Sequence, residues 1–228
     1  IERMDSDGEV VMPLDEQSVR DAVQQLIEDG VESLVIHFLH SYINDAHERR
    51  AEEIAREMWP NEYVTRGSAT MAEYREYERG TTAMINASVQ PVLDRYIQRL
   101  RDELQERGYA HDLLVMQGNG GTVSSTIIAD AAVNTVMSGP ASGVIAAAYT
   151  ATRAGQPNVI ACDMGGTSCD VALIKDGIPE VSSELEIEYA MPIHVPMVDV
   201  RTIGAGGGSI AHISAAGILQ VGPESAGS

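Results

Sequence analysis

With 228 residues and 44% hydrophobic content, the chain can bury a full core as one large α/β domain or two smaller ones, and it is neither a disordered nor a fibrous composition. Its formal charge of −19, from 34 acidic against 15 basic residues, argues against nucleic acid or an anionic membrane surface as a partner, so a bound anion must be held locally. No apolar run reaches the roughly 18 residues of a membrane span, the N-terminus lacks the basic start and apolar stretch of a signal peptide, and a soluble cytoplasmic protein is expected.

The elements alternate. LDEQSVRDAVQQLIEDG (14–30) carries apolar residues at helical spacing behind a capping Asp15 and stops at Gly30. VESLVIHFL (31–39) is a nearly continuous apolar run, the mark of a parallel strand covered on both faces. NDAHERRAEEIAREMWP (44–60) reads as a helix ending at Pro60 and EYVTRG (62–67) as a short strand, which completes a βαβ unit. From about Ala72 to Arg107 the pattern is helical, with a break or kink expected at Pro91 and a stop at Gly108.

LLVMQ (113–117) reads as another buried strand running into GNGG (118–121), and MSGPASGVIAAAYTATRAG (137–155) as a loop opening a small-residue helix. NVIACDMGGTSCDVALIKDG (158–177) is a strand, a glycine turn and a second strand, closed by Asp176-Gly177. VDVRTIGAGGGSIAHI (198–213) empties an extended segment into four glycines within five residues.

Glycine-rich stretches thus lie at 118–121, 139–143 and 204–208, and the hairpin turn at 163–167 makes a fourth. Glycine lets successive backbone N–H groups point into one concavity, and such nests bind phosphate oxygens even on an acidic protein. A carboxylate beside the turn, Asp163, repels phosphate directly but suits a hydrated magnesium ion, and Thr167 adds a hydroxyl donor. The same residues also make a plain tight hairpin whose Asp and Thr cap local backbone. Neither a Walker loop nor a dinucleotide-binding fingerprint is present.

DMGGTSCDVAL resembles the second phosphate loop of the actin-like ATPase superfamily, and SGPASGVIAAAY sits where that superfamily places its connecting helix. Together with YREYERGTTAMINASV, LLVMQGNGG, VPMVDVRTIGAGGGSIA and GILQVGPESAG, the chain resembles the hydantoinase A/5-oxoprolinase family over nearly its whole length. The resemblance implies an α/β chain with the actin-like ATPase (RNase H-like) fold, partial, with portions of two lobes. Residues 1–152 would be the remainder of the first lobe, with the long and connecting helices, and 158–228 the start of the second, with the phosphate hairpin. The first phosphate loop of the family would lie upstream of Ile1, so this chain alone is expected to show no ATPase activity.

Carried over residue by residue, the resemblance makes Asp163 the catalytic carboxylate that holds Mg2+ through water. Gly165, Gly166, Thr167 and Ser168 would hold the ATP phosphates, Gly204, Gly206, Gly207 and Gly208 would lie against the nucleotide, and Ser209 would donate to a phosphate or ribose oxygen. Asp170 is expected to be structural. The chaperones open their connecting helix with Glu-Pro, whereas Gly139-Pro140 stands here, which favours phosphate transfer to a substrate oxygen over water attack. The implied activity is ATP-dependent phosphorylation of a cyclic amide or carbonyl substrate of the N-methylhydantoinase or 5-oxoprolinase type, with a B-type subunit or domain as partner and association of identical copies left open. The alternative is a nucleotide-switched binding module of chaperone or filament type that does no chemistry.

The remaining residues carry weaker signals. Cys162 and Cys169, the two cysteines, are too few for a disulfide framework; flanking a turn, they face each other or, more simply, stay as buried free thiols. His37, His40, His47, His111, His194 and His212 are too scattered for a metal site. Tyr74, Tyr77 and Arg79 line either a substrate cleft or a packed helix face, and Met58 and Trp59 are expected in the core.

Overall fold

The computed structural model describes residues 1–188 and 191–227, which form two compact units. The first comprises 1–115, 123–134 and 183–195, the second 116–122, 135–182 and 196–228. The division is therefore not a single cut between residues 152 and 158. The helix over 138–153 groups with the hairpin around residues 163–170 because its small apolar face packs there, and residues 183–195 return to the first unit.

In the first unit, β1 (Arg3–Met4) and β2 (Val10–Met12) pair antiparallel. The Asp15 carboxylate accepts the Gln17 and Ser18 N–H groups and starts α1 (Glu16–Glu28), and Gly30 follows the helix at φ +73°. β3 (Leu34–Ile36) and β4 (Val64–Arg66) are parallel and flank α2 (Ala46–Met58) in sequence, as the βαβ reading expects. Leu34, Ile36 and Val64 form one core with Val23, Ala51, Ala55 and Trp59. Burying each of the larger aliphatic side chains contributes roughly 1.5–3 kcal/mol. Val35, between two buried neighbours, is only half-buried, so the strand is not covered on both faces throughout.

The one-turn α3 (Gly67–Thr70) leads to α4 (Glu76–Glu106), which starts at Glu76 rather than Ala72 and runs on through Pro91. An interior proline costs a helix about 3 kcal/mol; here Asn86, Ala87, Gln90 and Pro91 all lie on a buried stripe that holds the helix together. Within that stripe Asn86 Nδ2 donates to Thr65 Oγ1 (3.2 Å), and Asn86 Oδ1 accepts the Val133 N–H (3.0 Å) from a 3₁₀ segment, Ile128–Thr135, that breaks at Ala131. β5 (Leu114–Met116) and β6 (Thr122–Ser124) pair with each other. The hairpin of β11 (Leu185–Glu188) and β12 (Met191–Ile193) lies on α4, where Thr81 Oγ1 donates to the Pro192 carbonyl (2.5 Å) and Thr82 Oγ1 accepts the His194 N–H (2.9 Å).

The second unit is built on the antiparallel order β14 (Arg201–Ile203), β8 (Cys169–Lys175), β7 (Val159–Met164), with β9 (Ile178–Pro179) also paired to β8. α5 (Ser138–Arg153) sets Ala141, Val144 and Ala148 against Ala172, Ile174, Val198 and Val200. β10 (Val181–Ser182) pairs β13 (Met197–Val198), and β15 (Ser209–Ile213) pairs β16 (Leu219–Ser225). Among the described residues no single helix is long and apolar enough to cross a membrane.

Candidate functional site

The β7–β8 ladder ends at the pairs Asp163 with Asp170 and Met164 with Cys169, and the Gly165 N–H closes the turn onto the Ser168 carbonyl at 2.9 Å. The pairing of Ile203 with Cys169 brings the 204–209 loop alongside this turn. Two bonds lock them together: Gly207 N–H to the Gly165 carbonyl (2.9 Å) and Gly208 N–H to the Gly166 carbonyl (2.7 Å). Ser225 Oγ adds a third contact to the Gly166 carbonyl at 3.1 Å.

In a trans peptide the C=O and the following N–H point in opposite directions. With the Gly165 and Gly166 carbonyls turned into the neighbouring loop, the N–H groups of Gly166 and Thr167 face away from it. Among the described residues neither of these N–H groups has a hydrogen-bond partner. This is the polarity of an anion nest.

Asp163 is exposed beside the turn, and its carboxylate makes no hydrogen bond or ion pair among the described residues. An added Cβ on Gly143 of α5 would lie 3.7 Å from Asp163 Oδ2. Asp170 is engaged instead, accepting the Thr202 hydroxyl at 2.6 Å. One carboxylate with room around it suits magnesium, which keeps most of its waters.

The other glycine stretches have protein partners. A Cβ on Gly206 would stand 2.6 Å from both the Gly165 carbonyl oxygen and the Ser168 nitrogen, and one on Gly208 would strike the Gly227 carbonyl. The close approach that requires glycine at those two positions is thus to the chain's own backbone, while Gly204 has open space around it. Ser209 Oγ accepts the Gly206 N–H at 2.8 Å and braces the loop. The 118–121 stretch is a hairpin turn, with Gly120 at φ +82° and so close to Ile145 that a Cβ would come within 2.7 Å. Residues 139–143 are not a loop: α5 starts at Ser138 behind a left-handed Met137, with Gly139-Pro140 inside its first turn.

Cys162 and Cys169 are free and face each other at 3.5 Å, but only Cys169 is buried, which corrects the expectation of two buried thiols. The hydrogen bond to Cys162, then burial, pushes the Cys169 thiol up.

The first unit holds a polar cluster that the sequence reading did not isolate. Glu48, 0% exposed, accepts the Phe38 and Ser68 N–H groups, both at 2.8 Å. Arg79, also 0% exposed, donates to the carbonyls of Glu73 (2.7 Å) and Phe38 (3.0 Å), pairs with Glu76 and stacks on Tyr42. Arg79 is therefore packed inward, whereas Tyr74 and Tyr77 are exposed.

The family model described as Hydantoinase/oxoprolinase matches residues 79–228, and the one described as Hydantoinase/oxoprolinase N-terminal region matches residues 1–59. The caprolactamase alpha subunit of Pseudomonas jessenii is 41% identical over 226 residues, covering 99% of this chain and 32% of that protein. The acetophenone carboxylase gamma subunit of Aromatoleum aromaticum is 36% identical over 233 residues, covering 100% of this chain and again 32% of the relative. The crystal structure of ATP-dependent caprolactamase from Pseudomonas jessenii superposes with a TM-score of 0.86 at 38% identity, over 99% of this chain and 33% of that one. The chain thus spans about a third of the length of these relatives.

Proposed function

Because the chain belongs to the hydantoinase/oxoprolinase family and has the actin-like ATPase fold, we propose that it supplies part of the nucleotide site of an ATP-dependent enzyme that activates a small cyclic amide or carbonyl compound. The observation that carries this reading is the turn at 165–168, whose Gly165 and Gly166 carbonyls are bonded to the neighbouring loop while the Gly166 and Thr167 N–H groups stay open beside an unpaired Asp163.

In this reading the two N–H groups and the Thr167 hydroxyl hold phosphate oxygens and orient the γ-phosphoryl group. Asp163 is the residue that would hold a hydrated magnesium ion, which when bound neutralises phosphate charge. The 204–209 loop keeps the turn in shape through its bonds to Gly165 and Gly166. Gly139 brings no carboxylate to the start of α5, so nothing at that position activates water, which favours transfer to a substrate oxygen. The phosphorylated amide or enol then carries a leaving group that a later ring opening or carboxylation step uses. The relatives named as alpha and gamma subunits support a second subunit as partner for the full-length protein.

The deciding experiment measures ATP consumption by the full-length protein and its partner subunit with and without lactams, hydantoins and ketones. Substrate-stimulated turnover that disappears in Asp163→Asn is the expected result. Stimulation by a protein partner alone would instead mark a nucleotide-driven switch.

A further inference from the structure

The end of β16 meets the turn at 165–168 and the 206–209 loop together. Ser225 stands opposite Ser209 in the β15–β16 ladder. The Ala226 N–H donates to the Gly208 carbonyl at 2.8 Å, and the Gly208 N–H donates in turn to the Gly166 carbonyl at 2.7 Å. Ser225 reaches that same Gly166 carbonyl directly, through its hydroxyl.

The partners of this hydroxyl fix where its proton points. A carbonyl oxygen can only accept, so Ser225 Oγ is the donor to Gly166 at 3.1 Å, and its lone pair takes the Gly227 N–H, also at 3.1 Å. The Gly166 carbonyl therefore accepts two donors, the Gly208 N–H and the Ser225 hydroxyl. Among the described residues the Gly165 carbonyl accepts one, the Gly207 N–H.

This difference falls on one N–H group. The carbonyl of Gly166 and the N–H of Thr167 are the two ends of a single planar peptide, coupled by resonance. Each donor on the oxygen draws electron density from the nitrogen and makes the N–H a better donor, a cooperative gain of about 10–30% per bond. The Thr167 N–H, which has no partner among the described residues, is thus the more strongly polarised of the two open groups on the turn.

We propose that Ser225 is a positioning residue: through the Gly166 carbonyl its hydroxyl orients and polarises the Thr167 N–H to hold a nucleotide phosphate. This role rests on the reading of residues 165–168 as a phosphate-binding turn and adds to it a side chain from a separate hairpin. Removing the hydroxyl leaves the surrounding framework in place. Gly207 and Gly208 keep their bonds to the turn, the Gly165 N–H keeps the Ser168 carbonyl, and Ala226 keeps Gly208. Ser225→Ala consequently separates phosphate binding from folding.

The test is calorimetric titration of the full-length protein with ATP and magnesium, comparing wild type, Ser225→Ala and Ser225→Thr. Loss of the hydroxyl should raise the dissociation constant about three- to tenfold at unchanged stoichiometry, and Ser225→Thr, which keeps the hydroxyl, should stay within about twofold of wild type. A merely structural role would lower the number of binding-competent molecules and leave their dissociation constant alone.

An unchanged dissociation constant in Ser225→Ala, with or without a fall in stoichiometry, would overturn the role, and so would Ser225→Thr binding no better than Ser225→Ala. If Ser225→Ala binds normally while Asp163→Asn loses turnover, Ser225 has no part in the site and the proposed function stands. A wild-type protein that does not bind ATP with magnesium removes the proposed function, and the role of Ser225 with it.

Discussion

Asp163 and Asp170 stand opposite each other across the β7–β8 ladder, and only Asp170 is tied down, by the Thr202 hydroxyl at 2.6 Å. Asp163→Asn in the full-length protein should leave the melting temperature unchanged and lower turnover by about a hundredfold or more, since the carboxylate proposed to hold the metal is lost from the transition state. Asp170→Ala should instead cost about 0.5–1.5 kcal/mol of stability through the lost hydroxyl bond. Thermal melts and turnover on both variants check the pair, and normal turnover in Asp163→Asn removes the phosphate reading.

Gly206→Ala and Gly204→Ala separate packing from ligand contact in one loop. The first places a methyl 2.6 Å from two atoms of the 165–168 turn; it should lower stability by about 1–3 kcal/mol and weaken nucleotide binding with it. The second has open space around it and should melt like the wild type. If Gly204→Ala nevertheless loses nucleotide affinity in a binding titration, that residue lies against the nucleotide.

The β7–β8 hairpin is legible in DMGGTSCD because a β-period on both sides, paired acidic residues and consecutive glycines all fall within a few positions. What is not legible is the partner of each glycine. Gly206 reads as a ligand-side glycine until the pairing of Ile203 with Cys169 sets it under the Gly165 carbonyl. Glu48 is hidden for a similar reason: in AHERRAEEIAREM it is one acidic residue among several, and only the arrival of Phe38 and Ser68 marks it as buried. The helix through Pro91 is legible by period, but its survival depends on contacts such as that of Asn86 with Thr65, made by residues far apart in sequence.

Glu48→Gln tests that buried carboxylate. Its two oxygens each accept a backbone N–H, and an amide NH₂ would face one of those donors. A loss of about 1–3 kcal/mol is expected, read by chemical denaturation with an unchanged slope.

His37 makes stability depend on pH. Its folded pKa is lowered by burial and by Arg79 against the opposing pull of Glu48 and Glu76, so the unfolded chain binds the proton more readily. The contribution of the neutral ring is complete above about pH 6.5, declines as pH falls through that value, and levels off below the lowered folded pKa. Between about pH 7.5 and about 5.5 the wild type should therefore lose more stability than His37→Gln does. Parallel slopes for the two proteins would show that the ring is not charged on unfolding.

Cys162 and Cys169, with their sulfurs 3.5 Å apart, should close into an intrachain disulfide on treatment with a diazene oxidant, each thiol giving up its hydrogen to the reagent. Intact-mass spectrometry would show the loss of two hydrogens and the absence of dimer. Cys162→Ser should prevent it.

The order in which the chain is made bears on how it can fold. The chain passes from one unit to the other after residues 115, 122, 134, 182 and 195, so neither unit exists as a single continuous stretch. A ribosome has to deliver the whole β7–β8 hairpin before the β11–β12 hairpin that finishes the first unit has been synthesised. The polypeptide therefore cannot mature one unit at a time from its N-terminus. Until residues 183–195 arrive, Thr81 and Thr82 of α4 lack their partners at Pro192 and His194, and nascent chains halted before that point should be held by chaperones and cut by proteases more readily than slightly longer ones.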